Sequence, residues 1–444
     1  MEIITNPTSA TRLTTTYFRP DNSGVTVNDK LLILPESSVQ YKRTQKDELS
    51  FVGEKLVRGR HKIHPYPAML HPLLVNYLIK TYAKNGNTIF DPFCGSGVTL
   101  LQSSVNGFSS YGFDINPLAL LIAKAKSQSY DISALTREFE DFQETVLQTR
   151  DTDIPSVKNI EYWYSNDVIR DLGVIRKVLK NKEYKYKDFF VVCFAFVCRN
   201  QSLTRKGEFK RYRIKEDKIK SVENKVFEKL FEHIREMIGT FASSDIPKKV
   251  SHPILANSEN KITPKIKYDL VITSPPYGDS RTTVAYGEYS SFGAEWTDGL
   301  NSFGSVNYRV DKEGIGKAGQ LNTDLTEHKI LTETIDKIGK IDEKRAKEVM
   351  YFFNGYYNVI KNVINNLNKR GRVCFVVGNR TVKGHQIPMD QITASFFDKM
   401  GLKFKNIYVR DILNKVMPSK NSPTNKVGAK VQTMVNEYIV VFTK

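Results

Sequence analysis

The sequence predicts an α/β protein whose mostly parallel sheet is interrupted once by a helical insertion. Strand-like and helix-like segments alternate from about residue 85 to 130 and again from about residue 250 onward. The stretch between them shows helical periodicity and a different, strongly basic composition. We therefore divide the 444 residues into an N-terminal extension (1–50), an α/β domain (51–130 and 250–444) and a basic helical insert (131–249).

The first half of the α/β domain predicts a βαβ unit. The strand Thr88–Asp91 runs into the glycine-rich turn Cys94–Gly97, and a helix begins directly after the turn. A second strand over 111–113 ends in Asp114. Pro117 then favours the first turn of another helix, because its fixed φ suits that position. Connections of this kind join parallel strands.

The second half predicts the remaining strands and two helices. We expect a strand over 269–272, a helix over 351–368, a strand over 372–377, a helix near 390–400, and strands over 404–409 and 437–442. A long segment rich in Lys, Asn, Pro and Gly separates the last two strands and predicts a loop. The first fifty or so residues are rich in Thr, Ser and Asn, and we expect them to be loosely organised.

The charge balance favours a polyanionic partner. The chain has 66 Lys and Arg against 48 Asp and Glu, a net charge of +18. Such an excess is common in proteins that approach nucleic acid, although a solvated, Lys-rich surface is the alternative. The four cysteines are scattered and indicate free thiols rather than a disulfide framework. Neither a signal peptide nor a membrane span is visible, which predicts a cytoplasmic protein without a membrane partner.

The glycine-rich turn is the first candidate binding site. In Asp91-Pro92-Phe93-Cys94-Gly95-Ser96-Gly97, the glycines Gly95 and Gly97 would let the backbone approach a ligand closely. Leu100 replaces the third glycine of a dinucleotide-binding motif, which disfavours a nicotinamide cofactor and an oxidoreductase. Asp114, at the end of the next strand, can accept both hydroxyls of a ribose. A purely structural turn is the alternative interpretation.

The second candidate site is Ser274-Pro275-Pro276-Tyr277, directly after the strand over 269–272. Two prolines fix the backbone and offer no N–H, so this loop presents carbonyl oxygens in a rigid arrangement. The adjacent aromatic ring offers a flat surface for a base. A rigid surface turn with an aromatic plug is the alternative.

Together, DPFCGSG, the acidic strand end and TSPPY resemble the amino-methylating DNA methyltransferases, which make N4-methylcytosine or N6-methyladenine. The resemblance covers about 60–130 and 250–444. It implies a Rossmann-like methyltransferase fold with an antiparallel last strand, S-adenosylmethionine as cofactor and double-stranded DNA as substrate. It also implies a cognate restriction endonuclease as a partner and a nucleoid-associated location in a prokaryote.

The resemblance extends to two further segments. RHKIHPYPAML (60–70) looks like the family's N-terminal cofactor motif, which places His64 and Pro65 at the cofactor. Asn257 resembles the residue that, in this family, meets the adenine ring of the cofactor. The histidines of the first segment do not predict a metal site, since no set of carboxylates or cysteines completes one.

The resemblance also implies a mechanism. Ser274 and the Pro275 carbonyl accept hydrogen bonds from the exocyclic amine, Pro276 stiffens the loop, and Tyr277 stacks on a flipped base. Serine at the first position favours cytosine N4. The alternatives are adenine N6, guanine N2 of RNA, and a DNA-binding module without catalysis.

Two segments are candidates for reading the DNA. The insert contains a basic run with interleaved aromatic residues, which suits phosphate and base contacts. Its candidate DNA-binding residues are Arg199, Arg205, Lys210, Arg211 and Arg213. A solvated helix face is the alternative. The second candidate is 279–345, which we expect to line the mouth of the flipped-base pocket.

Overall fold

A central sheet organises the protein. The computed structural model describes residues 31–33, 40–206, 210–262, 266–278, 284–304, 310–412, 420–421, 431–432, 434 and 436–444. The strands are β1 (Leu31–Ile33), β2 (Gln40–Gln45), β3 (Thr88–Asp91), β4 (Ser109–Asp114), β5 (Ser251–Leu255), β6 (Tyr268–Thr273), β7 (Leu367–Val377), β8 (Thr381–Val382), β9 (His385–Gln386), β10 (Lys403–Asp411), β11 (Lys420–Asn421), β12 (Val431–Gln432) and β13 (Asn436–Thr443).

Helices cover both faces of this sheet and form the insert. They are α1 (Pro72–Tyr82), α2 (Val98–Val105), α3 (Pro117–Ser127), α4 (Ile132–Gln148), α5 (Ile160–Trp163), α6 (Asn166–Asn181), α7 (Lys187–Asn200), α8 (Glu216–Ile219), α9 (Val226–Ala242), α10 (Tyr286–Trp296), α11 (Val310–Glu313), α12 (Lys329–Gly339), α13 (Glu343–Asn366) and α14 (Met389–Lys399). Short 3₁₀ helices lie at Asp47–Ser50, Gly59–Ile63 and Thr323–Glu327.

Nine of these strands form one sheet, in the order β1-β2-β10-β13-β7-β6-β3-β4-β5. Strands β7, β6, β3, β4 and β5 are parallel to one another. The last strand, β13, runs antiparallel between β7 and β10, with Val440 opposite both Phe375 and Ile407. The predicted α/β class, with a mostly parallel sheet and an antiparallel last strand, is therefore confirmed.

The central strands are apolar on both faces because helices bury both sides of a parallel sheet. In β7, the run Val373–Val377 is entirely buried. Phe375 packs on the face covered by α13 and α14, whereas Cys374 packs on the opposite face with α1. Because these strands are parallel, their carboxyl ends lie at one edge of the sheet.

Most predicted elements of the α/β domain are confirmed, with shifts of up to eight residues at their ends. Strand β3 and the start of α3 at Pro117 agree with the prediction, and the Asn116 side chain caps α3 by accepting from the Leu118 N–H at 3.1 Å. Helix α13 begins eight residues earlier than predicted, at Glu343, because Asp342 caps it there. The predicted loop before β13 lies mostly outside the described residues.

The part of the N-terminal region from residue 40 onward differs from the expectation of loose organisation, whereas 1–30 and 34–39 lie outside the described residues. Residues 40–45 form β2, which extends the sheet in parallel with β10. Its buried Arg43 lies 2.8 Å from the Asp390 carboxylate of α14. The mostly polar sequence of β2 gives no strand signal. The strand is held by the ion pair of Arg43 and by the buried ring of Tyr41, which packs on Phe404 and Phe442.

The residues between β4 and β5 form helices around a core that also includes Phe292 and Trp296 of α10. Helix α7 lies at its centre, and the run Phe189–Ala195 is fully buried. Helix α7 also packs against α3 and α10, so this core is continuous with the helices that flank the sheet. No helix in the described part of the chain is long and apolar enough to cross a membrane.

Candidate active site

A cavity opens at the edge of the sheet where β3, β4 and β6 end. It encloses about 1080 Å³, counting its open mouth. Ligands of open α/β sheets bind at this position, beyond the carboxyl ends of the strands. Its wall is built from residues in segments 66–70, 91–99, 114–116, 256–258 and 274–278, together with Tyr286, Val310, Asp311, Gly314 and Ile315.

The glycine turn forms the floor of this cavity. Gly95 and Gly97 both adopt positive φ, at 48° and 77°, where a side chain is strained. A Cβ on Gly97 would lie 2.5 Å from the Cβ of Ala123 in α3. The backbone conformation therefore favours glycine at both positions, and the close packing of the turn on α3 requires it at Gly97 as well.

Two buried carboxylates fix the turn. Asp91 accepts hydrogen bonds from the Phe93 N–H at 3.0 Å and from the Thr273 hydroxyl at 2.6 Å, which ties the turn to the end of β6. Asp114 accepts from the backbone N–H groups of Gly95 at 2.9 Å and Asn116 at 2.8 Å. Burial raises the pKa of each carboxyl to about 6.

The Asp114 carboxylate is suited to binding a diol. Its two oxygens each accept one backbone hydrogen bond and each retain further acceptor capacity, and the residue lines the cavity. The backbone donors hold the carboxylate in one orientation. Both oxygens can therefore receive a ligand hydroxyl without rearrangement.

The loop Ser274-Pro275-Pro276-Tyr277 continues from β6 into the wall of the same cavity. Ser274 and Pro276 line the cavity. The Tyr277 hydroxyl lies 3.1 Å from the Ser274 Oγ and donates to Glu437 of β13, also at 3.1 Å. The ring of Tyr277 packs so closely on Gly378 that a Cβ there would lie 2.9 Å from it. The loop is thus anchored to β13 and to the end of β7.

The segment 60–70 contributes to the wall through different residues from those predicted. Tyr66 to Leu70 line the cavity, whereas His64 and Pro65 do not. The buried His64 ring contacts Phe196 of α7, and its Nδ1 lies 2.7 Å from the Pro65 carbonyl oxygen. Burial lowers the pKa of His64 to about 4. A direct role of His64 and Pro65 at the cofactor remains a prediction.

Asn257 and its neighbour also lie at the cavity. Asn257 lines it, and its side-chain oxygen accepts from the Glu259 N–H at 2.9 Å. The adjacent Ser258 hydroxyl donates to the Pro92 carbonyl at 2.6 Å, which joins this segment to the glycine turn.

The predicted DNA-binding residues fall into two groups. Arg199 and Arg211 are turned inward onto α10: Arg199 stacks on the Tyr289 ring at 3.9 Å, and Arg211 lies 2.6 Å from Glu295. The second group lies at or near the surface. Arg213 lies over the Tyr162 ring, whereas Arg205 and Lys210 are exposed. Their contact with DNA remains a prediction, and the internal partners of the first group weigh against a direct role.

Several residues at the site were missed by the sequence motifs. Tyr286 of α10 stacks on Tyr66 with ring centroids 5.9 Å apart, and Asp311 accepts from the first N–H groups of α10 at 3.0 Å. Both line the cavity and belong to the predicted segment 279–345, of which 279–283 and 305–309 lie outside the described residues. Glu437 had a recognisable signal, since it is a carboxylate at the start of the apolar run of β13.

Comparisons with known proteins agree with these motifs. The family model described as DNA methylase, of the N6/N4 methyltransferase type, matches residues 14–125 and 268–444. Type II methyltransferase M.MvaI of Kocuria varians is 31% identical over 88% of this chain and 93% of its own length. Type II methyltransferase M.BsoBI of Geobacillus stearothermophilus is 22% identical over 84% of this chain and 83% of its own length. Type II methyltransferase M.MjaII of Methanocaldococcus jannaschii is 47% identical over 17% of this chain and 14% of its own length.

Proposed function

Because the chain belongs to the DNA methylase family of N6 and N4 amino-methyltransferases, we propose that it methylates the N4 amino group of cytosine in duplex DNA. The family uses S-adenosylmethionine as methyl donor. The observation that carries the proposal is that Ser274 opens onto the same cavity as the glycine turn and Asp114. Donor and acceptor of the methyl group would therefore meet in one cavity.

The cavity fits the methyl donor. Asp114 would accept the ribose hydroxyls of the cofactor, and Asn257 would lie at its adenine ring. The turn that contains Asp91, Phe93 and the two glycines would closely approach the rest of the cofactor. When bound, S-adenosylmethionine supplies an electrophilic methyl group on a sulfonium. The cavity is open at its mouth, where a base would lie beside the methyl donor.

The loop at Ser274 would activate the acceptor nitrogen. An exocyclic amine is a poor nucleophile because its lone pair is delocalised into the ring. Hydrogen bonds from its two N–H groups to Ser274 Oγ and the Pro275 carbonyl would bias the nitrogen toward sp³ geometry and free that lone pair. Positioning then supplies much of the acceleration of a direct displacement, and the nitrogen loses its proton afterwards.

The choice of cytosine depends on the first residue of the loop. In the family resemblance, serine before Pro-Pro-Tyr accompanies cytosine N4 more often, and aspartate or asparagine accompanies adenine N6. Adenine N6 is therefore the second candidate. Guanine N2 of RNA is a more distant one.

A base in a duplex cannot reach this cavity, so the target would be flipped out at a cost of a few kcal/mol. Stacking on Tyr277 would offset about 1–3 kcal/mol of that cost. We propose that the insert over 131–249 reads the DNA, with the exposed Arg205 and Lys210 on phosphates. The segment over 279–345 is the second candidate for this role.

We also propose a biological setting, which the relatives named above support. Three type II methyltransferases support a role in restriction and modification, with a cognate endonuclease and a cytoplasmic, nucleoid-associated location as parts of the proposal.

The proposal is tested by incubating the protein with S-adenosylmethionine labelled in its methyl group and with DNA or tRNA. Label is expected in DNA, and label in tRNA alone would overturn the assignment of DNA as the substrate. Ser274→Ala is expected to reduce single-turnover transfer at least about tenfold, since one acceptor of the amine is lost. Affinity for S-adenosylhomocysteine, measured by calorimetry, should stay nearly unchanged. Loss of that affinity instead would mean that Ser274 belongs to the cofactor site.

A further inference from the structure

Ser274 is the first member of a chain of hydrogen bonds that ends on a buried ion pair. Its Oγ lies 3.1 Å from the Tyr277 hydroxyl, and that hydroxyl lies 3.1 Å from Oε1 of Glu437. The other carboxylate oxygen of Glu437 accepts from Nε of Arg410 at 3.0 Å. The side chains of Arg410 and Glu437 are only 8% and 16% exposed. Three elements, the loop after β6, β10 and β13, thus meet at one polar chain.

The chemistry of the groups sets the direction of each hydrogen bond. A carboxylate paired with a guanidinium only accepts hydrogen bonds, so the Tyr277 proton must point to Glu437. Burial and the Glu437 charge raise the pKa of Tyr277 well above its ordinary value, and the hydroxyl therefore keeps that proton. Its oxygen can then take part in the contact with Ser274 only as the acceptor. The Ser274 hydroxyl must be the donor.

This direction leaves the Ser274 oxygen with its own proton engaged and its lone pairs available. A serine that was free to rotate could instead point its proton into the cavity. Such a proton would oppose the N–H group of an incoming amine. The chain therefore determines whether Ser274 faces the cavity as an acceptor or as a donor.

We propose that Glu437 is a positioning residue for methyl transfer, which acts through Tyr277 to hold Ser274 as a hydrogen-bond acceptor for the exocyclic amine. The inference rests on the proposed function, in which Ser274 accepts from that amine. It deepens this function by giving the site a preference for an amino group over a carbonyl group at the same position of the base. Arg410 holds the Glu437 carboxylate in place, since it is itself fixed by donating to the Leu49 carbonyl at 2.9 Å.

Glu437→Gln is the sharpest perturbation because it keeps the shape of the side chain. Arg410 can only donate, so the amide oxygen of the glutamine will face Arg410 and its NH₂ group will face Tyr277. The Tyr277 oxygen then accepts from the amide, and its proton turns toward Ser274. The chain is reversed, and one lone pair of Ser274 is consumed. We expect single-turnover methyl transfer to fall about tenfold or more, with little change in affinity for S-adenosylhomocysteine.

A double-mutant cycle separates this role from a structural one. Tyr277→Phe keeps the ring but removes the hydroxyl, so it disconnects Glu437 from Ser274. Glu437→Gln should therefore slow transfer in the wild-type background and cause no further loss in the Tyr277→Phe background. An equal loss in both backgrounds would show that Glu437 acts through Arg410 and the fold. No loss in the wild-type background would overturn the proposal as well.

A second cycle covers the case in which Glu437→Gln does not fold. Tyr277→Phe should slow transfer in the wild-type background but not in Ser274→Ala, because the hydroxyl acts only through that serine. An equal effect in both backgrounds would overturn the inference. Failure of the proposed function is a distinct result, since the wild-type protein would then transfer no methyl to an amino group at all.

Discussion

Replacing Arg211 should destabilise the protein without changing how its DNA binding depends on salt. Its guanidinium lies 2.6 Å from the Glu295 carboxylate, with side chains 15% and 5% exposed. It also bonds to the Ser291 hydroxyl and lies 4.0 Å from the centre of the Phe292 ring. These partners all belong to α10, which contributes Tyr286 to the cavity. Arg211 therefore joins the insert to a helix of the active-site wall.

The magnitude follows from the burial of Glu295. Removal of one partner of a buried pair leaves an uncompensated charge, at a cost of about 3–5 kcal/mol. Loss of the contact with the Phe292 ring adds about 0.5–2 kcal/mol. We expect Arg211→Met to lower the free energy of unfolding by roughly 3–5 kcal/mol at pH 8. The two losses do not add in full, because Glu295 can take up a proton instead of remaining a buried, unpaired charge.

The pH dependence of this loss has a definite sign. Burial raises the pKa of Glu295 above its ordinary value, and Arg211 opposes that shift. Without Arg211 the pKa of Glu295 in the folded state rises further above its value in the unfolded chain. Between these two pKa values the folded state holds a proton that the unfolded state has released. The stability of the variant should therefore fall as pH rises from about 5 to 8. The loss relative to the wild type should be smaller at the lower pH.

The assays are thermal unfolding and DNA binding over a range of salt concentrations. Glu295→Gln in the Arg211→Met background should restore part of the stability, since it removes the unpaired charge. The slope of log affinity against log salt should be unchanged in Arg211→Met and about 0.9 shallower in the control Lys210→Ala. A shallower slope in Arg211→Met without loss of stability would refute the reasoning and assign Arg211 to a phosphate.

Three further predictions concern the glycine turn and Asp114. Gly97→Ala should cost roughly 2–4 kcal/mol of stability, as seen by thermal unfolding, and weaken S-adenosylhomocysteine binding, because its Cβ would lie 2.5 Å from that of Ala123. Gly107→Ala, at φ 85° with open space around it, is the control, and an equal loss there would exclude packing as the cause. The affinity of the wild-type protein for S-adenosylhomocysteine, measured by calorimetry, should fall as pH drops below about 6. Asp114 must be ionised to accept the ribose hydroxyls, and its pKa is raised to about 6. Asp114→Asn should bind about 10–100-fold more weakly with a flatter pH profile, and an unchanged affinity would remove Asp114 from the site.

The elements that depend on local sequence could be predicted closely. Strand β3, the glycine turn and the helix after Pro117 each have a short signal in the chain itself: an apolar run, two glycines, or a proline in a first turn. Such signals act over a few residues, so the sequence determines them without help from distant contacts.

Features that depend on distant partners could not be predicted in this way. Strand β2 is mostly polar and is held in part by the pair of Arg43 with Asp390, 347 positions away. Arg211 looked like a phosphate ligand because its sequence neighbours are basic, yet its carboxylate partner lies on a helix 84 positions later. A basic residue has the same appearance in a sequence whether it meets a phosphate or a buried glutamate.

The most direct test of the central claim is the identity of the methylated nucleoside. DNA that has been methylated by the protein with labelled S-adenosylmethionine is digested to nucleosides and separated by chromatography coupled to mass spectrometry. We predict that the label is found in N4-methyl-2′-deoxycytidine and that Ser274→Ala strongly reduces it. Label in N6-methyl-2′-deoxyadenosine instead would contradict the assignment of cytosine.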